Sequence, residues 1–274
     1  MPELPEVETN VRAIRPHLLD RKINGIEFNV DKLRHPLQAK DFNPILDQPI
    51  RRVFRRAKYI LIEATDTHLL MVHLGMTGSF RLVENGMEKQ AHEHIAFRLN
   101  DGKSLYFRDP RRFGMCKLIS RDVEMWPKTM RQLGPEPFTS EFSGDYLYRH
   151  SRQRKQAVKT FIMDQRLVTG VGNIYASEAL WRARIHPHRA AEESATIAMS
   201  SSTGRSLPFS PKPSLLGEQR LPSIRPPTAR RPFQHLSPGL RPCRREMPAL
   251  PKAKHQAHGF GRAAQRYYCP ACQR

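Results

Sequence analysis

An α+β fold is predicted: an N-terminal helix, a β-rich half and then a helical half. Three observations carry this. Apolar residues recur at helical spacing over residues 6–18, with Val7, Val11, Ile14 and Leu18 on one face. Residues 22–119 hold short apolar runs separated by turn residues, as in 59–63, 69–73 and 94–99. Several such strands predict a sandwich or barrel-like half. Residues 125–137 read as a connection, and helical patterns return over 144–152, 156–164 and 174–184.

The chain has 274 residues, enough for one large core or two small ones. No apolar run reaches membrane-spanning length and no signal peptide is visible, so a cytoplasmic protein with no membrane partner is expected. Its four cysteines (Cys116, Cys243, Cys269, Cys272) are too few and too unevenly spaced for a disulfide framework. The formal net charge of +20 points to nucleic acid. Much of that charge is concentrated, however. From Arg205 to Arg274 there are 14 Lys/Arg and two acids, Glu218 and Glu246, a balance of +12. The same stretch holds 12 of the 23 prolines and no hydrophobic period, which reads as disorder. The charge is therefore weaker evidence of function than its size implies.

The opening helix begins with the most informative stretch, Met1-Pro2-Glu3-Leu4-Pro5-Glu6-Val7-Glu8. Removal of the initiator methionine would expose Pro2 as a secondary amine. An α-amino group titrates near pH ~8, so a useful fraction is neutral at physiological pH. Such an amine can attack a sugar aldehyde carbon and form an iminium. Glu3 and Glu6 are placed to move protons. The same residues also make an ordinary helix start, with prolines and acids at the positive dipole end. The whole string is more specific than either feature. It resembles the start of the bacterial formamidopyrimidine-DNA glycosylases, the 8-oxoguanine repair enzymes, rather than the related endonuclease VIII branch. The resemblance implies a β-sandwich with an N-terminal helix, then a helix-two-turn-helix domain, then a zinc ribbon.

In the β-rich half, Arg55-Arg56-Ala57-Lys58-Tyr59 precedes an apolar strand. A lysine there is ordinarily solvated. The resemblance instead implies that Lys58 is the second catalytic amine, used in elimination. His73-Leu74-Gly75-Met76-Thr77-Gly78-Ser79 and Asp109-Pro110-Arg111-Arg112-Phe113-Gly114 read as turns. An apolar tip such as Met76 can wedge into a base stack. Enzymes that act on a base in duplex DNA extrude it and fill the hole. The resemblance implies that Met76, Arg111 and Phe113 do this, and that His92, in His92-Glu93-His94, contacts DNA. A metal site at that histidine pair lacks a third partner nearby in sequence.

In the helical half, 168–178 reads Val-Thr-Gly-Val-Gly-Asn-Ile-Tyr-Ala-Ser-Glu. Two glycines lead into a helix with Asn173 near its start. This is either an ordinary cap or a phosphate site. The string resembles the family's helix-two-turn-helix core, which implies Asn173 on the phosphate beside the lesion. Arg152, Arg154, Lys155 and Lys159 read as a basic stripe, with Arg154 and Lys159 at DNA-contacting positions of the family. Phosphate contacts of this kind position a protein but read no sequence.

The resemblance runs to about Ala190. The expected domains are residues 1–125 (catalytic), 126–190 (a truncated helix-two-turn-helix domain), 191–262 (divergent and disordered) and 263–274 (a ribbon remnant). The family uses zinc held by two Cys-x-x-Cys pairs. Only Cys269 and Cys272 survive as a pair, and tetrahedral zinc takes four ligands. An incomplete metal site that does not bind Zn2+ properly is therefore expected. The family's ribbon arginine falls at Ala264, and neither Arg262 nor Arg266 is in register. One hypothesis is a frameshifted reading of roughly 191–262. Shifted forward by one base, the codons of Met247 and Pro248 must encode cysteine, and those of 239–250 permit Val-Tyr-Gly-Arg-x-Gly-Glu-x-Cys-x-x-Cys. Stop codons in that frame of the gene, or no second cysteine, would overturn it.

The reading is a base-excision-repair DNA glycosylase for oxidised purines, with AP-lyase strand cleavage. Pro2, Glu3 and Lys58 are its expected catalytic residues. Damaged double-stranded DNA is its expected partner, a monomer its state, and the bacterial nucleoid its place. No other cofactor is implied. The alternatives are a defective family member that binds DNA through charge alone, with steep salt dependence, and a basic architectural protein, which leaves both signature strings unexplained.

Overall fold

The computed structural model of the chain describes residues 2–194. They fall into two compact units, divided between Glu136 and Pro137.

The first unit opens with α1 (Leu4–Leu18), which starts two residues before the periodic pattern does. The cause is a capping box. The Glu3 side chain accepts the Glu6 amide, and the Glu3 amide donates to Glu6 Oε2 at 3.0 Å. The predicted apolar face is buried: Val7, Val11, Ile14 and Leu18 are at most 2% exposed. Burying each is worth about 1.5–3 kcal/mol, so the helix is held by packing more than by propensity.

Eight antiparallel strands follow: β1 (Ile23–Phe28), β2 (Arg52–Arg56), β3 (Tyr59–Glu63), β4 (His68–His73), β5 (Ser79–Glu84), β6 (Glu93–Leu99), β7 (Lys103–Arg108) and β8 (Met115–Ser120). They form two four-stranded sheets, ordered β1-β6-β7-β5 and β2-β3-β4-β8. Phe80, Ile95, Phe97 and Phe107 of the first sheet share one core with Val53, Ile60, Ile62 and Val72 of the second and with the α1 face. Of the two predicted architectures, the sandwich is the one formed. Cys116 lies in that core, and burial pushes its thiol well above the usual range.

The second sheet is covered on its other face as well. Leu61, Leu69, Met71 and Ile119 pack with Met130, Trp126 and Leu133. Strand β3 therefore reads as a continuous apolar run instead of an alternating one. The covering segment includes a 3₁₀ turn (Val123–Met125) and the short α2 (Lys128–Arg131), where the sequence predicts a plain connection. This packing carries the first unit on to Glu136, beyond the boundary expected at residue 125.

The second unit holds α3 (Gly144–Ser151), α4 (Val158–Met163) and α5 (Asn173–Ala183), close to the predicted helical stretches. Its core gathers Phe142, Val158, Phe161, Ile162, Val168, Val171, Ala176 and Leu180. Residues 191–194, expected to begin the disordered segment, are instead helical, and the Ala191 amide donates to the Gln156 carbonyl at 3.0 Å. The rest of that segment, the ribbon remnant, Cys269 and Cys272 lie outside the described residues.

Candidate active site and nucleic-acid interface

Helix α1 runs along β2, and two contacts fix its direction. Arg15 Nε donates to the Val53 carbonyl at 2.8 Å, and Arg55 Nε donates to Glu8 Oε2 at 3.1 Å. Burial alone would raise the Glu8 carboxyl, but the Arg12 and Arg55 guanidiniums hold it below its ordinary value. Continuing along the helix brings its start to the two-residue turn Ala57-Lys58 between β2 and β3. Lys58 is buried, as is Glu3, and Pro2 is half-buried. Burial lowers the Lys58 ammonium from its ordinary value, and the Glu3 and Glu6 carboxylates oppose that shift only in part. The site thus combines the chain's start, a buried amine with a lowered pKa, and two carboxylates already ordered by the helix cap.

His73 stands at the end of β4, paired with Tyr59 beside Lys58. The Gly75 amide donates to its Nδ1 at 3.0 Å, and its ring lies 5.1 Å from that of Tyr59. Burial, with the charges of Arg34 and Lys58, lowers its pKa to about 4. His73 is therefore neutral at physiological pH. The sequence offered it only as part of a turn motif.

The turns after β4 and after β7 meet. Gly75 has φ +63°, and a Cβ there would lie 2.5 Å from Gly114 N, so the approach requires glycine. Met76 is 39% exposed and Phe113 is 47% exposed, both high for large apolar side chains. The Arg111 guanidinium lies over the Phe113 ring, 4.7 Å from its centroid. His92 is exposed with φ 69°, and its carbonyl accepts the Asp109 amide at 3.0 Å. The first unit thus gathers Met76, Arg111, Phe113 and His92 on turns joined to one another. His94 does not share their exposure, because its ring is buried and its Nε2 donates to the Asp109 carbonyl at 3.0 Å.

In the second unit, α5 opens on Gly172 without a side-chain cap, and Asn173 is its first residue. Asn173 Oδ1 is buried and finds no hydrogen-bond partner among the described residues. Arg152, Arg154 and Lys155 are exposed, whereas Lys159 is buried on α4. The expected basic stripe therefore lacks its fourth member, because Lys159 shares a short helix with the core residues Val158, Phe161 and Ile162.

Comparison with known proteins matches both units. The formamidopyrimidine-DNA glycosylase N-terminal domain family matches residues 1–116, and the formamidopyrimidine-DNA glycosylase H2TH domain family matches residues 133–200. The chain belongs to the formamidopyrimidine-DNA glycosylase family. The formamidopyrimidine-DNA glycosylase of Geobacter sulfurreducens is 46% identical over 203 residues, 72% of this chain and 74% of the relative. That of Pectobacterium carotovorum is 47% identical over 191 residues, 70% of each. The Lactococcus lactis Fpg solved with DNA containing a benzyl-Fapy-dG superposes with a TM-score of 0.66 at 31% identity, over 73% of this chain and 75% of that one. The same Fpg solved with abasic-site DNA gives a TM-score of 0.66 at 29% identity, over 72% and 75%. The chain is thus a member of a DNA glycosylase and AP-lyase family of base-excision repair.

The family's zinc does not fit the described residues. Among them no group of three His, Cys, Asp or Glu could hold a metal, and the one cysteine, Cys116, is a core residue with a protonated thiol. No helix among them is long and apolar enough to cross a membrane.

Proposed function

We propose that this chain removes oxidised purines, 8-oxoguanine and formamidopyrimidines, from double-stranded DNA and then cleaves the strand. The observation that carries the reading is Lys58, a buried amine of lowered pKa beside the carboxylates at the start of α1.

After loss of Met1, the Pro2 nitrogen would attack C1′ of the damaged nucleotide. The C1′–base bond breaks, and the purine leaves with a proton. Glu3 supplies and recovers protons, opening the sugar ring to an iminium. Removal of a C2′ proton then expels the 3′ phosphate by β-elimination, and water releases Pro2. A lowered Lys58 pKa gives a larger neutral fraction at physiological pH, as a base for the C2′ proton requires. Met76, Arg111 and Phe113 would occupy the space left by the extruded nucleotide, and His92, Arg154, Lys159 and Asn173 would hold the DNA. The 29–31% identical neighbours solved with Fapy-dG-type and abasic-site DNA support this choice of substrate. The catalytic domain is proposed to run on to Glu136 and the helix-two-turn-helix domain to begin at Pro137.

The test is borohydride trapping on a duplex with 8-oxoguanine opposite cytosine, with undamaged and abasic duplexes and Pro2→Gly as controls. A lesion-dependent covalent adduct that weakens in the variant is expected. No adduct from folded protein, even on the abasic duplex, overturns the reading and leaves a protein that binds DNA through charge alone.

A further inference from the structure

Asp109 is fully buried at the end of β7, and every polar atom it has is engaged. Its amide donates to the His92 carbonyl at 3.0 Å. Its carbonyl accepts from the Arg112 amide at 3.1 Å and from His94 Nε2 at 3.0 Å. Carboxylate Oδ1 accepts the Thr77 hydroxyl at 2.9 Å, and Oδ2 accepts the Gly114 amide at 2.6 Å. The carboxylate thus joins the residue after Met76 to the residue after Phe113, while the backbone adds the turn that carries His92.

A carboxylate suits this place because both neighbours are donors. Hydrogen bonds to an ionised acceptor are about twice as strong as neutral ones. Among the described residues no other side chain bonds across these two turns. The remaining closeness is steric: a Cβ on Gly114 would lie 2.8 Å from Phe107 Cζ and 2.9 Å from Asp109 Oδ2. Glycine at 75 and 114 lets the turns approach, and Asp109 sets the register in which they do so. Met76 and Phe113 are exposed large apolar side chains on turns, and such groups would otherwise sample many positions.

We propose that Asp109 is a positioning residue that holds Met76, Arg111 and Phe113 as one rigid wedge for DNA. The proposal rests on the reading that these side chains enter the base stack. Its advantage is entropic, because a wedge ordered beforehand loses less freedom on insertion.

The test uses the full chain and a duplex with 8-oxoguanine beside 2-aminopurine, whose fluorescence rises when it unstacks. Anisotropy on the same duplex gives affinity, so that amplitudes are compared at saturation. In Asp109→Asn an amide N–H₂ must face one of the two donors. The unstacking equilibrium on bound DNA is expected to fall about tenfold, the size of losing a hydrogen bond to a charged group. Thr77→Val removes only the hydroxyl of an exposed residue and is expected to cost about threefold, with recovery in Thr77→Ser. A general loss of stability would lower affinity without changing the saturated amplitude. Met76→Ala is the control for the wedge itself. If it abolishes the response while folded Asp109→Asn and Thr77→Val keep it, the positioning role is overturned and the wedge stands. If Met76→Ala leaves the response intact, or the wild type gives none, the wedge reading falls and the proposal with it. Should Asp109→Asn fail to fold, Thr77→Val and its Ser rescue decide.

Discussion

The carboxylate of Glu136 accepts the backbone amide of Ala57 at 2.7 Å, across 79 positions of sequence. It also takes Arg55 Nη1 at 2.7 Å and Arg56 Nη1 at 3.1 Å. Ala57 has φ 53°, a left-handed conformation that costs a residue with a Cβ about 1–2 kcal/mol. The turn that presents Lys58 is therefore held from outside by one carboxylate. Burial alone would raise the Glu136 carboxyl, but the Ala57 amide and the two arginines hold it below its ordinary value. Its contribution is full above the unfolded carboxyl pKa and is lost as pH falls through the lower folded value. Glu136→Gln is expected to cost about 2 kcal/mol at pH 7, less than for a fully buried pair because the group is half-buried. Urea unfolding at pH 7 and pH 3 checks this. A penalty of the same size at both pH values would exclude the charge as its cause.

Lys58 has the opposite sign. Its folded pKa lies below the unfolded value, so between the two the unfolded chain holds a proton that the folded chain lacks. Stability therefore rises with pH across that window. At neutral pH its burial is a cost, tolerated where function needs it. Lys58→Met is expected to raise stability at pH 7 by about 1 kcal/mol, with the gain shrinking towards pH 10.5. Paired denaturant curves at pH 7 and pH 10 measure this, and a destabilised variant at pH 7 would contradict it.

His73 places a second pH dependence beside the same lysine. Burial, then Arg34 and Lys58, lowers it to about 4, against 6.5 when unfolded. Between those values the unfolded chain takes up a proton that the folded chain does not. Stability should therefore fall as pH drops from 6.5 to 4. The full shift would correspond to about 3 kcal/mol, and partial exposure of the ring reduces that to about 2. His73→Asn keeps an acceptor for the Gly75 amide but cannot titrate. Its stability difference between pH 7 and pH 4.5 should be smaller by about this amount. An unchanged difference would show that other groups carry the slope.

The sequence made some features legible and hid others, for identifiable reasons. Helix α1 was legible because its buried face repeats every 3.6 residues, and the strand runs because turn residues punctuate them. The burial of Lys58 was not legible, since nothing local marks it, and its proposed catalytic role rests on a short string with a family likeness. Glu136, Asp109 and His73 were not assigned roles, because each acts on partners distant in sequence or on backbone atoms. An aspartate before Pro-Arg-Arg-Phe-Gly could have been read as a turn organiser, but the Thr77 hydroxyl it receives lies 32 positions away. The burial of Lys159 was not legible, because a basic spacing pattern does not say which face of a two-turn helix meets the core.

Gln165 makes the second unit testable without touching the active site. Its Nε2 donates to the Val171 carbonyl at 2.8 Å and to the Met163 carbonyl at 3.1 Å, and its Oε1 accepts the Gly170 amide at 2.8 Å. One side-chain amide therefore closes the loop between α4 and α5, which Val168 and Val171 anchor in the core. Gly170 has φ 80°, and the loop delivers Gly172 and Asn173 to the start of α5. Gln165→Leu keeps the bulk but leaves a buried N–H and a buried carbonyl without this partner, at about 1–3 kcal/mol each. A loss of about 2–4 kcal/mol in the unfolding of this unit is expected, with weaker binding to any duplex, because the helix start proposed to meet a phosphate would no longer be fixed. Thermal unfolding together with fluorescence anisotropy on undamaged duplex reads both. If stability falls and affinity does not, the loop supports the fold alone and Asn173 is not a phosphate contact.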